Sequence, residues 1–319
     1  MKAPWFWKKG GCPVTRFLLS PFGMLYGLIT KYRMSRNAGW QSPRPVICIG
    51  NLVAGGAGKT PVVIDLAKRI QSAQVLSRGY GGSERGPVKI SSEHIAAQVG
   101  DEPILISSTS QIWVSDNRQA GCQAAIEDGA KAVILDDGFQ DPSIKKDLSL
   151  IVVDGGYGFG NGHCIPAGPL REGISNGLSR ADAVVIIGDD TSESEALIKG
   201  RCPVLHATLV PNADDQDWQH KKVVAFAGIG HPEKFFQTLR DLDCTICETV
   251  SFADHHPFTQ SELDDLKRRA TQHGATLVTT QKDLVRIAEM HRDGIEALAV
   301  RLEWQDVSKI EDLLARHII

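Results

Sequence analysis

The amino-acid sequence predicts an α/β protein: a parallel sheet with helices on both faces, followed by a second, smaller α/β domain. Three observations carry this. Short β-branched runs, "PVICIG", "KAVILDD", "LSLIVVD", "DAVVIIG", "KKVVAFAGI", "ATLVTT" and "EALAVRLE", alternate with segments of helical periodicity. The runs are continuously apolar, as strands buried on both faces require. The polar stretch "PNADDQDWQHKK", residues 211–222, then divides the runs into two groups and reads as a linker. At about 150 residues per domain, 319 residues accommodate this division. The expected organisation is a basic, aromatic arm over 1–40, a nucleotide-binding domain over 41–215 and a smaller α/β domain over 216–319.

The arm stands apart by charge. No Asp or Glu precedes Asp65, whereas nine Lys or Arg do, so the first 64 residues carry +9. The remaining 26 basic and 38 acidic residues carry -12. The apolar run Phe17 to Ile29 is broken by Pro21, Gly23 and Gly27 and falls short of the roughly 20 residues a spanning helix needs. No small-x-small cleavage site follows it, which argues against a signal peptide. With Trp5, Phe6 and Trp7 beside Lys8 and Lys9, the arm reads as a segment lying in an anionic membrane interface. Packing as an ordinary N-terminal helix is the alternative.

"PVICIG" runs into "NLVAGGAGKTP" and then the helical pattern "TPVVIDLAKRI", with Val63, Leu66 and Ile70 on one face and Pro61 in the first turn. This strand, glycine loop and helix form a phosphate-binding loop, residues Val53, Ala54, Gly55, Gly56, Ala57, Gly58, Lys59 and Thr60. The glycines let backbone N–H groups face a polyphosphate, Lys59 reaches its outer phosphates, and the Thr60 hydroxyl can bind Mg²⁺. Two irregularities mark the loop. Val53 occupies the usual first Gly position, so Gly55 and Gly56 are expected to make the turn. Ala54 replaces the Lys of dimeric switch ATPases.

"KAVILDDGFQ" ends an apolar strand in Asp136 and Asp137, which would face the same crevice and serve a metal. "GDEP" places Asp101 and Glu102 in a tight turn, and "DHHPF" sets His255 beside a carboxylate, an arrangement suited to proton transfer. "SRGYGG" and "GPLREG" put Arg78, Arg171 and Glu172 in flexible loops where guanidinium groups can meet a phosphate. Seven scattered cysteines point to reduced thiols in a cytosolic chain. Cys244 and Cys247 form a C-x-x-C, but without a second pair, in a segment that reads as a strand, zinc is not expected.

In order, "GNLVAGGAGKTP", "SRGYGG", "GDEP", "DDGFQD", "GNGHCIPAGPLREG", "FAGIGHPEKFF", "FADHHPF" and "TTQKDLVRI" resemble the tetraacyldisaccharide 4'-kinase family over nearly the whole chain. The resemblance implies a P-loop NTPase fold, with the second domain closing over the nucleotide, and ATP and Mg²⁺ as cofactors. It implies transfer of the γ-phosphoryl group to the 4'-hydroxyl of a lipid A disaccharide 1-phosphate. The place would be the cytoplasmic face of the inner membrane, with the protein peripheral to it. It further assigns Lys59 and Thr60 to the P-loop, Asp136 and Asp137 to the metal, and Asp101 with His255 to the pair that accepts the sugar proton. Arg78, Arg171 and Glu172 would support substrate phosphate or metal.

Two other functions compete. A switch-type P-loop NTPase acting on a protein partner would fit the loop, and "TQKD" resembles a guanine-reading motif, but Gln281 stands where that motif has Lys. A nucleic-acid binder would fit the arm, but the charge of -12 beyond it would repel a phosphate backbone. Neither nucleic acid nor an obligate protein partner is expected.

Overall fold

A computed structural model of the chain describes residues 4–36, 39–212 and 217–318. Strands β1 (Val46–Gly50), β2 (Ala73–Ser77), β3 (Val88–Lys89), β4 (Ile112–Val114), β5 (Ala132–Asp136), β6 (Leu148–Asp154), β7 (Ala183–Ile187) and β8 (Val204–Pro211) belong to a larger sheet. Strands β9 (Lys222–Ala227), β10 (Thr245–Ser251), β11 (Thr276–Thr280) and β12 (Ile295–Leu298) build a smaller one, before β13 (Val300–Trp304) returns to the first. The larger sheet runs β13-β8-β7-β6-β1-β5-β2-β4-β3, parallel except at its two edge strands. The smaller runs β10-β9-β11-β12, all parallel. This is the α/β class that continuous apolar runs demand.

At the centre, β1 lies between β5 and β6, and Val46, Ile47, Cys48 and Ile49 expose none of their surface. Burying an aliphatic side chain of this size contributes about 1.5–3 kcal/mol, so β1 is a rigid base for the loop that follows it. Strand β2 lacks an uninterrupted apolar run because it carries Gln74. That amide is buried yet satisfied, donating to Asp128 (3.0 Å) and accepting from the Trp113 indole (2.7 Å).

The run "EALAVRLE" is two strands, not one. Residues 295–298 pair parallel with β11, whereas Val300–Trp304 pair antiparallel with β8. Helix α11 (Val307–Ile318) then buries Ile310 and Leu314 in the core of the larger sheet. The segment expected as one unit, 216–319, thus contains the smaller sheet and also two elements that complete the larger. The 215/216 boundary, and residues 213–216 of the expected linker, lie outside the described residues.

In the smaller sheet, helix α8 (Pro232–Asp241) covers one face with Phe235, Phe236 and Leu239, and α9 (Gln260–His273) covers the other with Leu263, Leu266 and Ala270. Cys244 packs with the first cluster and Cys247 with the second. Among the described residues no cluster of three or more His, Cys, Asp or Glu side chains is placed to hold a metal ion.

The arm, whose residues 1–3 and 37–38 lie outside the described set, is helix α1 (Pro13–Arg36) preceded by a 3-10 turn at Trp5–Trp7. The glycines that interrupt its apolar run are its docking stripe. A Cβ on Gly23 would come within 2.6 Å of the Cys164 carbonyl, and one on Gly27 within 3.1 Å of the Cys164 thiol. Docking by the glycine face leaves Phe17, Leu18, Phe22, Met24, Leu25, Leu28 and Ile29 exposed. No described helix is long and apolar enough to cross a membrane.

Candidate active site

The phosphate loop hangs between the carboxyl end of β1 and helix α2 (Lys59–Arg69), where Val62, Val63 and Leu66 are buried. Val53 is extended, bridging antiparallel to Leu170, while the Ala54 N–H donates to the Pro169 carbonyl (2.8 Å) and the Arg171 N–H to that of Leu52 (2.7 Å). The first half of the loop is therefore braced as a short ribbon. The turn comes later, at Gly55 (φ 129°) and Gly58 (φ 82°), in a backbone region that side chains avoid. No atom would meet a Cβ on Gly55 or Gly56, so this stretch of backbone faces open space.

The register of β1 against β5 sets Asp136 opposite Ile49, and the Asp137 N–H donates to the Ile49 carbonyl (2.9 Å). Both carboxylates thus stand at the loop's edge, but in different environments. Asp137 adopts φ 53°, tolerable for an Asp, and meets Lys59 Nζ at 3.6 Å and Arg171 Nη1 at 2.9 and 3.0 Å. Burial opposes its ionisation, but Lys59 and Arg171 outweigh that and hold its carboxyl below the ordinary range. Asp136 is 1% exposed, and burial, reinforced by the charge of Glu102, pushes its carboxyl up to about 7. One of its oxygens accepts from Ser77 Oγ (3.1 Å); the other is buried without a partner.

That orphaned oxygen fits a divalent cation, a hard ion that takes oxygen donors and would offset the burial of a carboxylate. Thr60, in the first turn of α2, supplies a hydroxyl of the same type. Beneath the pair, Arg118 is fully enclosed and donates to the carbonyls of Leu76 (2.7 Å), Asp136 (2.7 Å) and Asp137 (3.2 Å), tying β2 to the acidic strand end.

Arg171 therefore joins the phosphate side, whereas Glu172 next to it points inward. Its fully buried carboxylate accepts from Arg180 (2.5 and 2.6 Å), Asn176 (2.6 Å) and Gln140 (3.1 Å). Gln140 also donates to the Asn51 carbonyl (3.0 Å), so Glu172 braces the loops that carry Arg171 and the acidic pair. Arg78 is largely exposed and meets Asp141 at 2.8 Å.

A second cluster joins the two sheets. Asp101 opens helix α4 (Asp101–Ser107) after Gly100, whose φ of 92° and close approach to the Tyr80 carbonyl exclude a side chain. His255, in the turn after β10, is at φ 58°, and its Nδ1 lies 2.9 Å from Asp101 Oδ2. The same oxygen accepts from Arg286 Nε (2.8 Å) and Nη2 (2.6 Å). Lys282, in helix α10 (Gln281–Leu284), meets Glu102 at 2.8 Å. Burial raises the Asp101 carboxyl, but the His255 hydrogen bond, Lys282 and Arg286 overcome it and hold the group well below the usual carboxylate range. His256 is turned away, stacked on Phe252 and hydrogen-bonded to Glu262.

Of the residues picked out from the sequence, the structure brings Asp101 to His255, and both Lys59 and Arg171 to Asp137. The sequence reading missed Lys282, Asp283 and Arg286, because "TTQKDLVRI" served only as a landmark of the resemblance and "TQKD" only as a comparison with the guanine-reading motif. The available signal was two basic residues one helical turn apart, opposite an acidic pair of unknown partner. Glu102 adjoins both clusters: it holds Lys282, and its charge reaches Asp136.

The family profile described as tetraacyldisaccharide-1-P 4'-kinase matches residues 15–319. The chain is 48% identical over 324 residues to the tetraacyldisaccharide 4'-kinase of Rhodospirillum centenum, covering 99% of this chain and 96% of that protein. To the tetraacyldisaccharide 4'-kinase of Paramagnetospirillum magneticum it is 47% identical, covering 99% and 98%. The crystal structure of LpxK from Aquifex aeolicus in complex with ATP superposes with a TM-score of 0.76 at 28% identity, covering 95% of this chain and 99% of that one.

Proposed function

The chain belongs to the tetraacyldisaccharide 4'-kinase family, and from that premise we propose which of its residues carry the reaction. It is an ATP-dependent lipid kinase that phosphorylates the 4'-position of tetraacyldisaccharide 1-phosphate in lipid A biosynthesis. The observation that carries the assignment of roles is the 2.9 Å contact of His255 Nδ1 with Asp101 Oδ2.

Asp101, kept anionic by its surroundings, accepts a hydrogen bond from the Nδ1–H and so holds the tautomer in which Nε2 carries the lone pair. Nε2 takes the proton of the 4'-hydroxyl while that oxygen bonds to the γ-phosphorus. The bond from the γ-phosphorus to the β,γ-bridging oxygen breaks, and its electron pair leaves with ADP. A base so placed contributes about 100-fold to 10,000-fold. On the phosphate side, the backbone from Val53 to Gly58 and the Lys59 ammonium hold the polyphosphate, because phosphoryl transfer asks a protein mainly to position reactants and neutralise charge. Mg²⁺, held by Thr60, Asp136 and Asp137, would supply further neutralisation of phosphate charge. Arg171 and Arg78 face anionic groups of the substrate, and Glu172 positions Arg171.

The arm supplies the location. Its exposed apolar face, with Lys8, Lys9, Arg16, Lys31, Arg33 and Arg36 around it, suits the anionic cytoplasmic surface of the inner membrane. Arg33 donates to the Gln140 carbonyl (2.9 Å), so the helix adjoins the loop that follows Asp136 and Asp137. A lipid held in the bilayer is thereby presented next to the nucleotide side.

The test is transfer of ³²P from γ-labelled ATP to purified lipid A disaccharide 1-phosphate in detergent micelles, comparing the parent chain with His255→Asn. Labelled lipid is expected from the parent, at a rate at least about 100-fold lower from the variant. Equal rates would remove His255 from the base role.

A further inference from the structure

We infer that Arg286 is a positioning residue for the acceptor step: one guanidinium holds both the atom that fixes the backbone of His255 and the atom that fixes its ring. The inference rests on the reading of His255 and Asp101 as the proton-accepting pair.

His255 has two anchors. Its backbone N–H donates to the Gly228 carbonyl (3.1 Å), and its ring nitrogen meets Asp101 Oδ2 (2.9 Å). These anchors belong to the layers of different sheets, since Gly228 follows β9 of the smaller sheet, whereas α4, which Asp101 begins, packs against β4 of the larger. Arg286 touches both of them. Its Nη1 donates to the Gly228 carbonyl (2.8 Å), and its Nε and Nη2 donate to Asp101 Oδ2 (2.8 and 2.6 Å). A guanidinium is planar and stiff, so the separation of the two anchors is set by the width of a single group. Without it, a residue at positive φ on a turn would register against Asp101 through one hydrogen bond.

Arg286 is in turn held from behind. Asp283, which has no exposed surface, accepts from Arg286 Nη1 (2.7 Å), from the Gly228 N–H (3.1 Å) and from Thr280 Oγ1 (2.7 Å). Gly228, Asp283 and Arg286 therefore close a ring. A Cβ on Gly228 would come within 3.1 Å of Asp283 Oδ1 and 3.2 Å of the Ala253 carbonyl, so the glycine keeps the ring tight. Lysine could keep the charge but not this span, because an ammonium donates from one point. Lys282 offers a comparison within the same segment: it is also cationic, but it grips Glu102 and touches neither anchor.

Displacing a reacting group by about 1 Å can cost about 100-fold in rate. The full chain is therefore assayed on lipid A disaccharide 1-phosphate as Arg286→Lys, His255→Asn and the double variant. Arg286→Lys is expected to lower kcat by about 100-fold with the KM for ATP within about threefold of the parent. In the His255→Asn background the same change should cost less than about threefold, because Arg286 acts through a ring no longer present. A role in general stability would instead multiply the two losses.

Multiplying losses, or a kcat for Arg286→Lys within threefold of the parent while His255→Asn is impaired, overturns the inference and leaves the base assignment standing. An unimpaired His255→Asn overturns the base assignment and this inference with it. Should Arg286→Lys fail to fold, Asp283→Asn, which releases Arg286 from behind, must show the same loss in kcat and the same lack of further effect on His255→Asn.

Discussion

The phosphate side and the acceptor side of the site are built in opposite ways. The phosphate side is centred on one local unit: a central strand with no exposed side chain, a loop of eight residues and the helix that begins at Lys59. The acceptor side draws Asp101 from the larger sheet's layer and His255 and Arg286 from the smaller sheet's, with Asp101 and Arg286 185 positions apart in the chain. A local unit is fixed by neighbours in the chain, whereas a composite one is fixed by the few contacts that cross between the sheets. The two should therefore fail differently.

The largest expected effect tests this directly. Asp101→Asn removes the charge that orients His255 while leaving the loop from Val53 to Thr60 intact, so kcat should fall about 100-fold to 10,000-fold with the KM for ATP nearly unchanged. Lys59→Met removes an ammonium from the polyphosphate in both ground and transition states. It should raise the KM for ATP about tenfold as well as lower kcat by about 100-fold. Steady-state kinetics with ATP varied at saturating lipid separates the two patterns. A matching fall in ATP affinity for Asp101→Asn would break the division of labour and remove Asp101 from the acceptor side.

The same contrast explains how much could be read from the chain. The phosphate loop, Asp136 and Asp137 were legible because each is announced by an adjacent strand, and a strand end points its next residues into the crevice. Strands β5, β6, β7 and β9 were legible because each holds an unbroken apolar run of at least four residues. Strand β2 was not, since Gln74 is buried by virtue of partners at Trp113 and Asp128 that no local pattern names. The break between β12 and β13 was hidden for a related reason: apolar residues continue across it while the pairing partner changes. Arg286 was invisible because the choice of Asp101 as its partner is made between sheets. Gly23 and Gly27 were read as interruptions, and only the Cys164 loop lying against them shows why side chains are absent there.

A smaller effect concerns how the acceptor arrives. If the exposed face of α1 lies in the bilayer, deleting residues 1–36 should lower binding to vesicles of phosphatidylethanolamine and phosphatidylglycerol by about tenfold or more, since each basic residue near an anionic surface contributes about 1 kcal/mol. Binding of the parent should weaken as salt rises, because exposed charges are screened beyond about 10 Å at 0.1 M. Activity on lipid in vesicles should fall with binding. ATP affinity should fall less, as the loop at 53–60 is held directly by residues 169–171 rather than by the arm. Unchanged sedimentation with vesicles would refute the interfacial assignment.

The smallest effect tests how the turn bearing His255 is fastened. Glu262 forms a capping box on α9, accepting from the Thr259 N–H and hydroxyl (both 2.8 Å), and it also meets His256 Nε2 (3.0 Å). The Thr259 N–H, then its hydroxyl and His256, pull the Glu262 carboxyl down to about 2. A carboxyl lowered in the folded state gives stability that is present above the unfolded value, ordinarily 4.5, and is lost as pH falls through about 2. Glu262→Gln keeps the capping geometry but has no charge to titrate. Its Tm should sit about 2 °C below the parent's at pH 6, and that gap should shrink to less than about half by pH 3. Scanning calorimetry of both proteins across that range is the measurement, and a gap independent of pH would mean that the charge of Glu262 does not hold the turn. Because the turn also carries His255 itself, loss of this cap should lower kcat slightly while the KM for ATP stays constant.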